Sequence, residues 1–477
     1  MADGPVVVMK PVTTVERRGP VAERMREVAR AHGLTMSLTT VPDSVRKLQN
    51  SLQRKAKAEP AYRFYSLWDK VWRDDTLAHA YDRCRANGGA PGYDGESFEH
   101  IENQGRGAWL ERLQKELRDR NYVAQPLLRV WIPKSSGGQR PLGIPTIRER
   151  VAQMAVLLVI GPIFEVDLLP QQYGFRPNLD AKMALRRVHF SITQRKRYEV
   201  VDGDLSDYFN TIPHGGLLRC VARRIADGTV MSVLRAWLNA PVVERTRHGE
   251  RRTTEAQDRK RGTPQGGVVS PLMSNLYFRR FLLAWYGKGY ASKFDANVVN
   301  YADDFVILCK PGNGPQAMEA MRTLMTKLGL TVNEKKTRLV NLPEQQFDFL
   351  GYSVGRFYGK DGKAYFGTRP SKKSVKSLLG RIHEQTSSRW NALSPESRIE
   401  HLNPLIRGWA GYFDQGPVVR IYDAIQRYTE RRLRRWLMRK HGKRGTGYRQ
   451  YPDAYLYETL GLFRLPRTRA DLASAKL

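Results

Sequence analysis

Apolar and polar positions change period along the chain, and the changes mark its elements. Residues 44–88 (SVRKLQNSLQ…YDRCRANG) carry aromatic residues among many Lys and Arg at helical spacing, and the Gly/Pro loop GGAPGYDG, 88–95, ends them. A second helical piece is predicted over roughly 106–120. LLRVWIPKSSGGQRPLGIP, 127–145, alternates like a strand, turns at Ser135–Gly138 and returns. VAQMAVLLVIGPIFE, 151–165, is apolar throughout but too short to span a bilayer and is interrupted by Gly161-Pro162, which predicts a buried core helix. RYEVVDGDLSDYFNTIPH, 197–214, reads as a strand entering a turn at Asp204. RGTPQGGVVSPLMSNLYF, 261–278, reads as a Gly-rich loop running into a helix, and a further helix is predicted over 314–329. Between them VVNYADDFVILC, 298–309, reads as two short strands joined by a tight turn at Ala302-Asp303. The last ~120 residues lose the strand signal and read as helices. There Ile421, Ile425, Tyr428, Leu433, Trp436 and Leu437 share one helical face, and Arg427, Arg431, Arg434, Arg435 and Arg439 the other. No internal repeat or long low-complexity tract interrupts the sequence.

Charge narrows the partners. The 477 residues hold 80 Lys and Arg against 47 Asp and Glu, a net +33, in a chain long enough for two or three domains. So basic a protein meets a polyanion, and nucleic acid is the expected one. The basic residues run the whole length and form no juxtamembrane cluster, so a membrane surface is the weaker reading. The first residues lack a basic start followed by an apolar core, so no signal peptide is expected and 1–43 reads as a loosely ordered leader. Cys84, Cys220 and Cys309 stand far apart, which fits a reducing cytoplasm and excludes a zinc ribbon. The nine histidines have no metal-ligand spacing.

Chemistry concentrates in the acidic turns. Asp202, Asp204 and Asp207 follow one apolar strand, and Asp303 and Asp304 sit within another apolar run. Unpaired buried carboxylates are costly, so such a pair must meet a cation or lie at an exposed tip. For either motif alone, a plain acidic turn is the favoured reading. If the two strands are neighbours, the carboxylates converge, and oxygen ligands of that kind suit Mg2+. Two such ions ~4 Å apart activate a hydroxyl and stabilise departing pyrophosphate. Lys134 and Arg140 flank the turn of the basic hairpin, where they could close over a triphosphate.

The ordered set GGAPGYDG, IPKSSGGQRPLGIP, QQYGFRPN, VDGDLSDYFNTIPH, GTPQGGVVSPLMSNLYF, YADDFVIL, GLTVNEKKTRLV and FLGY resembles the reverse transcriptases, and in detail the proteins encoded within bacterial group II introns. The C-terminal LNPLIRGWAGYF…IQRYTERRLRRWLMRKHG is similar to that family's thumb and maturase region. The resemblance covers nearly all of 50–460 and implies an α+β right-hand polymerase. Fingers and palm, with an antiparallel sheet, are expected over 44–360, a helical thumb over 361–445, and a short nucleic-acid-binding segment over 446–477. It implies Asp204, Asp303 and Asp304 as catalytic carboxylates, and the Leu205 carbonyl as a further ligand for two Mg2+ ions, with Mn2+ able to substitute. Phe209 matches the aromatic gate against a ribose 2′-hydroxyl. Lys134 and Arg140 match the residues that hold the incoming deoxynucleoside triphosphate, Gln265 lines its site, and Lys336 matches a lysine that protonates pyrophosphate. Phe349, Leu350, Gly351 and Tyr352 match the primer grip. The arginine face of 427–439 is expected on RNA. The family often has a small residue where Asp207 stands and Asp where Asn210 stands; neither change removes a metal ligand.

The expected activity is RNA-directed DNA polymerisation, joined to binding of group II intron RNA for splicing and mobility. The expected partners are that RNA, an RNA template, a DNA primer or target, and deoxynucleotides. No cysteine follows Cys309, so no Cys-rich endonuclease is expected. The rival readings are a splicing-only maturase, a domesticated relative in host DNA repair or phage defence, and a structural RNA-binding protein without chemistry. The intact aspartates count against the first, and the last would leave the ordered set of motifs unexplained.

Overall fold

The computed structural model describes residues 41–133, 138–246, 249–359 and 361–466. Helix α1 (Asp43–Ala58) and helix α2 (Asp74–Asn87) replace the single helical stretch expected over 44–88. Pro60 follows α1, and Phe64 leaves the helical course to exchange backbone hydrogen bonds with Arg224 and Ala226. Helices α3 (Phe98–Gln104) and α4 (Arg106–Arg118) follow. Strands β1 (Leu127–Pro133) and β2 (Gln139–Ile144) then form the expected antiparallel hairpin; Lys134 at its turn lies outside the described residues. Helix α5 (Ile147–Glu165) is buried on nearly every side, with α1 and α2 packed against it.

Helix α6 (Ala181–Thr193) leads to β3 (Glu199–Gly203). Past helices α7 (His214–Ala222) and α8 (Gly228–Leu238), β4 (Val242–Thr246) and β5 (Gly249–Thr253) extend the first hairpin into a sheet of order β2-β1-β4-β5. The expected antiparallel pattern fails at one place there, since β1 and β4 run parallel. Helix α9 (Ser270–Gly287), strands β6 (Asn297–Tyr301) and β7 (Asp304–Cys309), helix α10 (Gly314–Lys327) and strand β8 (Arg338–Asn341) complete the palm. Its sheet has the order β6-β7-β3-β8 and is antiparallel throughout.

Both faces of that sheet are covered, which explains the unbroken apolar runs in β6 and β7. Val201, Val298, Phe305 and Ile307 face Phe278 and Phe281 of α9 and Met321 of α10. Val200, Val299, Val306 and Val340 face Leu185 and Val188 of α6. Strands β9 (Gln346–Phe349), β10 (Tyr352–Tyr358) and β11 (Ala364–Pro370) form a third sheet. Strand β11 corrects the expectation of helices from 361 onward: Phe366 on it stacks on Tyr198 of the palm, with centroids 4.9 Å apart.

The thumb is helical from there, with α11 (Lys372–Gln385), α12 (Pro395–Tyr412) and α13 (Val419–Lys440) around their own core. Tyr451, Leu456, Leu460, Leu462 and Leu465 join that core, so the described part of the expected C-terminal segment, 446–466, packs onto the thumb. No helix among the described residues is long and apolar enough to cross a membrane.

Candidate functional site

Asp204 is the first residue past β3, and β3 lies beside β7 with Gly203 opposite Phe305. One step further along the same pair, Asp204 comes level with Asp304. A Cβ at position 203 would sit 2.4 Å from the Phe305 ring, so glycine is what lets that ring lie across β3 and the two strands close up. Asp303 occupies the two-residue turn between β6 and β7, where Tyr301 is paired with Asp304. The turn depends on Ala302 in the left-handed region, at φ 60°.

A buried polar frame, missed in the sequence, holds that turn. Asn300 Nδ2 donates to the Ala302 carbonyl at 2.7 Å and to the Asp304 carbonyl at 3.3 Å. Its backbone N–H donates to Gln171 O and its carbonyl accepts from Tyr173 N–H, so QQYG lies along β6 as an added edge. Gln172 Nε2 donates to Asn275 O, and Asn275 Nδ2 donates to Gly174 O. A Cβ on Gly174 would stand 2.4 Å from the Ala302 backbone nitrogen. The only hint was that QQYGFRPN and SNLYF interrupt apolar patterning with amides and a glycine.

Asp303 and Asp304 are exposed at the turn, with protein packed around their carboxyls. Burial raises both carboxyls above the ordinary range. For Asp304 the charges of Asp303, Asp204 and Asp202 add to burial and push it up to about 7. For Asp303 the Asp204 charge adds, while Arg140 and Lys336 oppose it. The positive charge of Arg140 on β2 is thus felt at Asp303. Lys336 Nζ lies 3.3 Å from both Asp204 oxygens, and Arg338 Nε lies 3.2 Å from Asp202. Among the described residues no three acidic, His or Cys side chains are already closed around a common point that could hold a metal ion. The carboxylates converge, but Lys336 holds Asp204 as the structure stands.

The surroundings are welded to this floor. Leu205 is buried and bridges Val332. Asp207 adopts the left-handed region at φ 51°, a conformation that glycine takes without strain. Phe209 is half-buried beside the Tyr208 ring, and its carbonyl accepts from Thr263 N–H at 2.7 Å. The Gln265 carbonyl accepts from Gly143 N–H of β2 at 2.8 Å, and Gln153 of α5 accepts from Val268 and Val269 N–H. The strand of Arg140, the loop of Gln265 and the backbone of Phe209 therefore form one frame.

The structure buries part of two expected contact sets. Phe349 and Tyr352 of the primer-grip match are buried at 3% and 0% exposure, and the Leu350-Gly351 turn is tied to the thumb. Tyr412 donates to Leu350 O and Tyr352 donates to Tyr412 O, while Ser371 N–H and Ser374 Oγ donate to Gly351 O. The stretch is a palm–thumb joint, with only the turn itself near the surface. On α13, Arg427, Arg431, Arg435 and Arg439 are exposed, but Arg434 is fully buried. It binds Asp453 and donates to Tyr451 O, fastening residues 446–466, because helical spacing turns position 434 toward Leu433 and Trp436.

Carboxylates at the adjoining ends of an antiparallel palm sheet, a basic hairpin whose charge is felt there and a helical thumb define a right-hand polymerase. Residues 132–354 match the family described as reverse transcriptase (RNA-dependent DNA polymerase), and 375–452 match the group II intron, maturase-specific domain. Protein YkfC of Escherichia coli (strain K12) is 31% identical over 369 residues, covering 69% of this chain and 93% of YkfC. Group II intron-encoded protein LtrA of Lactococcus lactis subsp. cremoris is 28% identical over 218 residues, 45% of this chain and 34% of LtrA. An uncharacterized 91 kDa protein in the cob intron of Schizosaccharomyces pombe is 24% identical, over 64% of this chain and 45% of that protein. The chain belongs to the family of group II intron-encoded reverse transcriptases with a maturase domain.

Proposed function

We propose that Asp204, Asp303 and Asp304 form the catalytic centre at which this chain copies RNA into DNA, using two divalent cations. The observation that carries the reading is the meeting of Asp204 with the Asp303-Asp304 turn across β3 and β7. The donor set fits: all-oxygen ligands suit Mg2+, and carboxyls raised by one another's charge have a deficit of cations. Asp204, Asp303, Asp304 and the Leu205 carbonyl would hold the ions, which supply charge neutralisation for hydroxyl attack and pyrophosphate departure.

The chain's own residues do the rest. Arg140 pairs with the triphosphate of an incoming deoxynucleotide. The half-buried Phe209 ring closes the space a 2′-hydroxyl would need. Lys336, whose Nζ lies 3.3 Å from both Asp204 oxygens, is placed to donate a proton to departing pyrophosphate. The exposed arginines of α13 hold intron RNA by its phosphates, which supports splicing. Primer extension on RNA with Mg2+ and deoxynucleotides tests the centre: wild type extends, and Asp303→Asn loses extension by at least ~100-fold while binding RNA. Extension by both would sink the site assignment. Extension by neither, with tight RNA binding, would leave a splicing-only maturase.

A further inference from the structure

Arg219 on α7 and Arg223 just past its end lie beside Arg279 and Arg280 on α9, which packs against α7. Arg219 and Arg223 are exposed, and the α9 pair is half-buried. Phe278 and Phe281 of α9 pack in the palm core, and helical spacing turns the two arginines between them outward. Burial raises the Cys220 thiol, and the charges of Arg280, Arg223, Arg279 and Arg219 oppose that rise, so the four gather around one side chain. Arg63 adds a fifth guanidinium, since its Nε donates to Ala222 O at 2.9 Å.

Little answers this charge. Among the described residues none of the five arginines is ion-paired; the carboxylate near them, Asp167, is held by Arg224 at 3.3 Å. Arg279 Nε donates to the Asp167 carbonyl at 2.5 Å. Burial lowers the Arg279 pKa, and the charges of Arg223 and Arg224 lower it further against the pull of Asp167. Arg280 Nη1 donates to the Tyr277 hydroxyl at 3.3 Å, over a ring that is itself buried. Like charges held this close repel, and a polyanion laid across them removes the repulsion. Guanidiniums are planar forks that match phosphate oxygens, and the ring beneath them is out of a base's reach.

We propose that this patch on the outer side of α7 and α9 is a docking surface for a double-helical segment of intron RNA, held by its phosphates. The surface rests on the reading of this chain as a protein that binds intron RNA. A helical RNA presents rows of phosphates and hides its bases, so clustered cations over a buried ring suit it better than they suit a single strand. Helix α9 stands between the patch and the palm sheet, so this RNA is distinct from the template at the aspartates.

The test uses the full chain as wild type, as Arg219→Gln with Arg223→Gln, and as Arg279→Gln with Arg280→Gln. Affinity for group II intron RNA, an unstructured RNA strand and a template–primer is measured from low to high salt. Primer extension and the mass in solution are followed beside it. Each pair is expected to bind intron RNA about tenfold less tightly at about 100 mM salt, with a salt slope shallower by about two. Template–primer affinity and extension stay at the wild-type level, and Arg219→Lys with Arg223→Lys keeps the slope. Arg219 and Arg223 are exposed, so their pair reads the surface should the α9 pair fail to fold. A slope on intron RNA unchanged in both pairs would overturn the surface, and a change of mass alone would make it a contact between proteins. Equal loss on template–primer or on the unstructured strand would also overturn it. Wild type that extends primers without binding intron RNA ends the proposal and leaves the polymerase. Wild type that binds intron RNA without extending leaves the surface and ends the polymerase reading.

Discussion

Asp303 and Asp304 carry carboxyls raised by burial and by one another's charge. A raised carboxyl keeps its proton in the folded chain where the unfolded chain, near its ordinary value of about 4, has lost it. The metal-free protein is therefore expected to lose stability as pH rises from about 4 through about 7, and a bound cation to restore it. Melting curves check this: Mg2+ should raise the midpoint more at about pH 8 than at about pH 6, and Asp304→Asn should remove most of the difference. Equal Mg2+ shifts at both pH values would place the cation elsewhere. The buried Asn300 amide is a positioning group. Asn300→Ala should lower kcat about tenfold or more with little change in KM, and cost about 1–3 kcal/mol of stability. Arg434 behaves as a structural residue. Arg434→Ala should destabilise the thumb by roughly 2–3 kcal/mol, whereas Arg435→Ala should leave stability within about 0.5 kcal/mol and weaken RNA binding. Equal effects of the two on stability would contradict the burial difference.

At the scale of elements, the palm works because β3 and the β6–β7 hairpin share one sheet and an added edge holds the hairpin from behind. The added edge was not legible. QQYG has no strand period, and its pairing with Asn300 spans more than a hundred residues of chain. Its closeness is testable at Gly174, where a methyl would meet the Ala302 backbone at 2.4 Å. Gly174→Ala should displace the aspartate turn and reduce primer extension at least tenfold while leaving RNA affinity intact, with a stability cost of about 1–3 kcal/mol. Full activity would mean the turn tolerates the shift. The β6–β7 hairpin itself was legible, since two apolar runs around a two-residue break have few alternatives. Strand β11 was not, because Gly367 and Pro370 weaken its period and its partner β10 supplies the order.

For the whole molecule, a net +33 and the exposed arginines of the thumb set the expectation that phosphate contacts supply most of the affinity for nucleic acid. RNA binding should fall by roughly a thousandfold between about 50 and about 200 mM salt, while an uncharged inhibitor of the active site would not show that slope. The palm–thumb joint gives this charge a fixed place relative to the aspartates, through Tyr412 to Leu350 and Ser371 and Ser374 to Gly351. Loosening it by Tyr412→Phe should shorten the products of one binding event more than it slows each addition, as run-off length against single-nucleotide rate would show.

Composition and local pattern alone determined the polyanion partner, the buried helix α5, the β6–β7 hairpin and the aspartates within the acidic turns, because each depends on neighbours in sequence. Only the tertiary structure decided that Asp204 and Asp304 lie level, that Arg434 faces inward while Arg435 faces out, and that Phe349 and Tyr352 are core. Those facts depend on which distant segments pack together, and periodicity carries no record of the partner that a side chain will meet.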